Sequence, residues 1–146
     1  MTAKPGFVII THGDLGRELL RVARYIIGEP LTNFAVVKTP FMGEITPVPA
    51  AAAPFRDRRH RILEELHRAA EQVDQGAGLV ILSDLFGGTS FQIAQELLRQ
   101  RPGAVVAGVN LPMLIKAAQL NGNSTITPAG IAADLTERSR QAIVCR

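Results

Sequence analysis

Apolar residues along the chain come in two rhythms. Short, nearly unbroken runs (Phe7–Ile10, Phe34–Val37, Leu79–Leu82 and Ala104–Val109) alternate with longer stretches whose apolar residues recur every three or four positions. Runs of that length, β-branched and bounded by turn formers, predict buried strands. After the first run, Leu15, Leu19, Val22, Ala23, Ile26 and Ile27 fall at helical spacing, with Arg17, Glu18, Arg21 and Arg24 mostly on the other face. Gly28 and Pro30 stop that helix. Ile62, Leu66, Ala69, Ala70 and Val73 line a second helix. Ser90, Ile93, Ala94, Leu97 and Leu98 line a third, which Pro102-Gly103 ends. Met113 to Leu120 reads as a short apolar helix, Asn121-Gly122-Asn123 as a turn, Ile131 to Gln141 as a last helix, and Ala142 to Cys145 as a short final strand.

The order β-α-β-α-β-α-β-α-α-β predicts an α/β fold: a doubly wound, mostly parallel sheet with helices on both faces. The continuous apolar strands agree, since such strands are buried on both sides. The 146 residues suit one domain over 1–146. Thr39 to Pro54 holds Pro40, Pro47, Pro49, Pro54, Gly43 and a run of alanines, and reads as a long exposed loop.

Composition changes this picture little. At 47% hydrophobic and 20% charged the chain can bury a core, and its apolar runs are too short for a membrane span. Met1 to Lys4 is too short and polar for a signal peptide. Cys145 is the single cysteine, so there is no internal disulfide, which fits a reducing, cytoplasmic setting. Charge adds more. The formal net charge is +3, and Arg56-Asp57-Arg58-Arg59-His60-Arg61 concentrates basic residues. Such a cluster suits an anionic partner or a solvated first helical turn. No aromatics interleave with the arginines, so a nucleic-acid surface is not expected. His60 and His67 are seven residues apart, not at the i, i+4 spacing of a helical metal pair, and read as surface residues.

Two stretches carry candidate chemistry. The first strand ends in Thr11-His12-Gly13, and Asp14 opens a helical pattern directly behind it. The third strand, Gly78 to Ser83, ends in Asp84-Leu85-Phe86-Gly87-Gly88-Thr89-Ser90. In a parallel sheet both tips lie at the carboxyl end, where ligands bind. Imidazole is a nucleophile near neutral pH, and a carboxylate on its other nitrogen fixes the tautomer, so Asp84 is the candidate orienter of His12. Alone, His12 also reads as a hydrogen-bonded turn residue. The Gly87-Gly88-Thr89-Ser90 stretch reads either as an ordinary capped turn or as an anion cradle on a helix N-terminus. Together they suit receipt and transfer of a phosphoryl group. No phosphate-binding G-x-x-x-x-G-K-[ST], dinucleotide G-x-G-x-x-G, hydrolase G-x-S-x-G or zinc cysteine set is present, so no nucleotide, metal or other cofactor is expected.

At these residues the sequence resembles the IIA component of the mannose-type (mannose/fructose/sorbose) bacterial sugar phosphotransferase system. The matching stretches are Val8-Ile9-Ile10-Thr11-His12-Gly13, Leu82-Ser83-Asp84-Leu85-Phe86-Gly87-Gly88-Thr89-Ser90 and Gly108-Val109-Asn110-Leu111-Pro112-Met113-Leu114. The resemblance implies that His12 accepts a phosphoryl group from the phosphohistidine of HPr and passes it to a histidine of a separate IIB component. It implies that Asp84 bonds the imidazole. Thr11, Gly87, Gly88, Thr89 and Ser90 would bind the phosphate, and Phe86, Asn110 and Pro112 would border the pocket. No metal or cofactor takes part, and the membrane is met only through a permease complex. It also implies four parallel strands plus a short antiparallel C-terminal edge strand, here Ala142 to Cys145, exchanged in a homodimer. The chain departs from the family at Ile10, where Gly is frequent, at Ser90, where Pro is common, and in the length of the Pro40–Pro54 loop. Its pI of about 9.6 is also high for a partner of HPr, whose docking face is partly basic.

Three other functions fit parts of the same sequence. One is a regulatory phosphotransfer protein without a transport role. Another is the phosphotransfer subunit of a dihydroxyacetone kinase, which the Asp84–Gly88 motif resembles less. The last is a noncatalytic anion-binding module in which His12 is dispensable.

Overall fold

Four strands alternate with five helices in a computed structural model that describes residues 3–41 and 53–146. The order is β1 (Gly6–His12), α1 (Leu15–Ile27), β2 (Phe34–Thr39), α2 (Ala53–Val73), β3 (Leu79–Ser83), α3 (Thr89–Leu98), β4 (Gly103–Ala107), α4 (Leu111–Leu120) and α5 (Pro128–Gln141). The strands form one sheet in the order β2-β1-β3-β4, all neighbours parallel.

Alternation along each strand divides the core into two layers. Phe7 and Ile9 of β1, with Val80 and Leu82 of β3, face α1, α4 and α5 and pack with Leu20, Ala23, Leu114, Ile131 and Leu135. Val8 and Ile10, with Leu79 and Ile81, face α2 and α3 and pack with Leu66, Ala70, Ile93 and Leu97. Both faces are covered, as continuous apolar strands require.

This strand order creates the crevice. The chain leaves β1 through α1 toward β2, and leaves β3 through α3 toward β4, in opposite directions across the sheet. The gap between the carboxyl ends of β1 and β3 is therefore the topological switch point, where doubly wound sheets bind ligands. The two strands pair from Gly6↔Leu79 to Ile10↔Ser83 and then separate.

Several boundaries differ from the sequence reading: β4 ends at Ala107 rather than Val109, and α4 begins at Leu111 rather than Met113. The helix expected from Ile131 begins at Pro128, because the Thr127 hydroxyl accepts a hydrogen bond from Gly130 N and proline suits a first helical turn. The short antiparallel strand expected over Ala142–Cys145 is not formed in this single chain. Ala142 ends α5, residues 143–146 carry no regular structure, and the Ile143 and Val144 side chains are 76% and 75% exposed. A lone edge segment with no strand beside it has no hydrogen-bond partners to order it. The long loop expected over Pro40–Pro54 lies largely outside the described residues, and α2 has begun by Ala53.

Candidate functional site

His12 is the last residue of β1, opposite Thr39 of β2. Gly13 turns the chain toward α1 with φ +55°, and its N–H bonds the Thr39 carbonyl at 2.9 Å. A Cβ on Gly13 would lie 2.5 Å from the Phe41 ring, so the ring packs directly on this turn. Both the positive φ and the close ring select glycine.

Asp84 follows β3 and reaches across the crevice. Its Oδ2 accepts the main-chain N–H of His12 at 2.8 Å and meets His12 Nδ1 at 2.8 Å, while Oδ1 accepts Leu85 N–H at 2.9 Å. The His12 and Asp84 side chains keep 23% and 13% exposure, so the pair is sheltered yet reachable. Burial raises the carboxyl's pKa, but the His12 main-chain N–H, the His12 ring and its charge, and Asp84's own main chain outweigh it and hold Asp84 below the ordinary carboxylate range. An ionised carboxylate only accepts, so Nδ1 must carry the proton. In the neutral ring His12 Nε2 is then left with its lone pair free.

The cradle stretch follows directly. Gly87 has φ +74°, its carbonyl accepts Gln92 Nε2 at 3.0 Å, and Gly88 is the N-cap of α3. Gly88 has no side chain to cap with, and the first helical bond is Gln92 N–H to Gly88 O at 3.0 Å. The N–H groups of Thr89, Ser90 and Phe91 are therefore free of helical partners, and the helix dipole adds partial positive charge there. By contrast, Asn110 caps α4 through Met113 N–H and Thr127 caps α5. The helix start beside the His12–Asp84 pair is thus left open.

The expected residues divide into groups. His12 and Asp84 meet, and Gly87, Gly88 and Thr89 lie on the same turn. Thr11 and Ser90 are fully buried. The Thr11 hydroxyl accepts Gly16 N–H at 2.7 Å, bracing the start of α1, and Ser90 Oγ lies 3.0 Å from Thr39 Oγ1. Their hydroxyls hold the two tips in place. Phe86 is 79% exposed and stacks edgewise on Phe91, with ring centroids 5.1 Å apart. Asn110 and Pro112 sit beyond β4, about 10 Å across the sheet from β1 by strand spacing. Thr39 is a site-shaping residue that sequence reasoning missed. Its links to His12, Gly13 and Ser90 are all non-local, and no local pattern marks them. Phe41 and Leu85 were also missed, as exposed apolar side chains next to the pair. Among the described residues no group of three or more His, Cys, Asp and Glu side chains could hold a metal ion, and no described helix is long and apolar enough to cross a membrane.

Comparison with known proteins identifies a family and several relatives. A family model described as PTS system fructose IIA component matches residues 6–130. The PTS system mannose-specific EIIAB component of Escherichia coli (strain K12) is 29% identical over 110 residues, which cover 75% of this chain and 29% of that protein. The chain thus spans well under half the length of this relative. The mannose/sorbose specific IIA subunit of the phosphotransferase system from Enterococcus faecalis superposes with a TM-score of 0.66 and 27% identity, covering 98% of this chain and 95% of that one. The phosphotransferase system component EIIA from Streptococcus agalactiae shares the fold, with a TM-score of 0.72 and 19% identity over 96% of this chain and 95% of its own.

Proposed function

Because the chain belongs to the PTS system fructose IIA component family, we propose that it is a cytoplasmic phosphocarrier that accepts a phosphoryl group on His12 from phospho-HPr and passes it to a IIB component in sugar uptake. The observation that carries this reading is the double hold of Asp84 on His12 beside the open N-terminus of α3. His12 Nε2 attacks the phosphorus of the donor's phosphohistidine. A new N–P bond forms as the donor's N–P bond breaks, and the donor imidazole leaves with that electron pair. The phosphorylated His12 ring keeps its Nδ1 proton and becomes cationic, and the Asp84 carboxylate stabilises that charge. The N–H groups of Thr89, Ser90 and Phe91 and the Thr89 hydroxyl receive the phosphoryl oxygens. Thr11 acts by bracing the turn. Phe86, Asn110 and Pro112 border the pocket.

A homodimer completes the reading. β4 is a sheet edge, and a groove of about 400 Å³ runs along it, lined by Gln95, Leu98, Arg99, Gly103, Ala104 and Val105. The exposed Ile143 and Val144 are the apolar segment that the β4 edge of a second copy accommodates.

The test is incubation with phosphoenolpyruvate, enzyme I and HPr. Wild type gains an acid-labile phosphate and His12→Ala does not. Equal labelling of both removes His12 as acceptor, and no labelling of either favours a noncatalytic anion-binding module.

A further inference from the structure

The turn that leads into α3 contains the two residues with the least side chain to hold them. Leu85 O accepts Gly88 N–H at 3.2 Å, and Gly87, the third residue of the four, has φ +74°. That is a type II turn, whose third position favours glycine. Neither residue of the Gly87–Gly88 peptide carries a side chain, and Gly87 faces open space. Such a peptide is free to rotate unless something fixes it. Its orientation is therefore set by hydrogen bonds rather than by packing, and the N-terminus of α3 begins directly behind it.

Gln92, an exposed residue one turn into α3, supplies that hold. Its main-chain N–H bonds Gly88 O at 3.0 Å, and its side-chain Nε2 bonds Gly87 O at 3.0 Å. One residue thus takes both glycine carbonyls. The first bond is the ordinary helical one and is open to any residue but proline. The second needs a side-chain donor of this reach. The Gly87–Gly88 peptide is then engaged at both ends, its oxygen by Gln92 and its N–H by Leu85 O. Rotation of this peptide would break both bonds and move Gly88, the N-cap, from the angles that start α3, φ −71° and ψ 173°. The rings of Phe86 and Phe91, with centroids 5.1 Å apart, tie the same turn to α3 but place no hydrogen bond on that peptide.

We propose that Gln92 is a positioning residue for phosphoryl transfer: its amide fixes the Gly87–Gly88 peptide, so that the N–H groups of Thr89, Ser90 and Phe91 are aimed before the phosphoryl group arrives. Donors fixed in advance stabilise a transferring charge without reorganisation at the moment of reaction. Gln92 acts through the turn, since its side-chain hydrogen bond goes to Gly87 and not to His12 or Asp84. The inference rests on the phosphocarrier reading and adds the residue that holds the phosphate-binding turn.

The experiment compares wild type with Gln92→Met, which keeps the side-chain length and helix propensity and removes the donor. Single-turnover phosphorylation of His12 is followed over a range of concentrations of phospho-HPr from the same organism, with circular dichroism as the check on folding. The expected result is a limiting rate about tenfold lower at an unchanged half-saturating concentration, because a loosened turn misplaces the transferring group and leaves docking alone. A limiting rate equal to wild type, or a loss seen only as a raised half-saturating concentration, overturns the inference and leaves the carrier reading intact. A second measurement needs no variant: ¹⁵N relaxation of the wild-type side-chain amides should find Gln92 Nε2 nearly as ordered as the backbone of α3. A Gln92 amide as mobile as that of the exposed Gln72 also overturns the inference. Wild type that gains no phosphate removes the carrier reading and the inference with it.

Discussion

One oxygen of Asp84 takes both hydrogen bonds from His12, the main-chain N–H and Nδ1, each at 2.8 Å. The first fixes where the end of β1 sits relative to β3. The second fixes the rotation and tautomer of the ring. A carboxylate that does both is sensitive even to isosteric replacement, because an amide oxygen accepts without the charge that stabilises a cationic ring. Asp84→Asn is expected to keep the fold and the acceptor but slow phosphoryl transfer to His12 by about 10–100-fold. Rapid-quench transfer kinetics check this, and unchanged rates would remove Asp84 from the mechanism.

The same pair sets an acid dependence of stability. Asp84 sits below its reference value of 3.8 in the folded chain, so its contribution is fully present above that value and is lost as pH falls through the lower folded value. The stability gap between wild type and Asp84→Asn should shrink once pH drops below about 3.8. Urea unfolding of both proteins across pH 2–7 measures it. A gap that grows on acidification would contradict the direction of the shift.

Gly13 is expected to tolerate no side chain. Alanine there meets a left-handed backbone cost of about 1–2 kcal/mol, and its Cβ would lie 2.5 Å from Phe41. Adding Phe41→Ala removes the collision and leaves the backbone cost, so the double variant should be closer to Phe41→Ala than Gly13→Ala is to wild type. Denaturation of the four proteins tests that coupling.

Thr39 ties the two tips together, with its carbonyl on Gly13 N–H and its hydroxyl on Ser90. Thr39→Val strands the buried Ser90 hydroxyl and should cost about 1–3 kcal/mol. Thr39→Val/Ser90→Ala should recover part of that loss, because no buried hydroxyl is then left without its partner. A fully additive double variant would show that the two hydroxyls do not interact.

Much of this molecule was readable in the sequence because its parallel strands are buried on both faces. Phe7–Ile10 and Leu79–Leu82 are apolar at every position, and that run length marks them as strands within a residue or so of their observed ends. The pairing of His12 with Asp84 was also accessible, since two polar tips that end neighbouring parallel strands must share one edge of the sheet. What escaped was non-local or depended on context. The onset of α5 was signalled by Thr127-Pro128, but the apolar periodicity that begins at Ile131 dominated the reading. Thr11 and Ser90 sit in the motifs expected to bind phosphate, yet their hydroxyls turn inward to Gly16 and Thr39, which only packing decides. Ala142–Cys145 has strand composition, but a strand needs a neighbour, and a single chain offers it none.

The most direct measurement is NMR of the phosphorylated chain carrying ¹⁵N-labelled histidine. With Asp84 holding the Nδ1 proton, the phosphorus must couple to Nε2 of His12, and Nδ1 must retain its proton. Phosphorus found on Nδ1, or on a residue other than His12, would contradict the arrangement in which Asp84 orients His12 for attack.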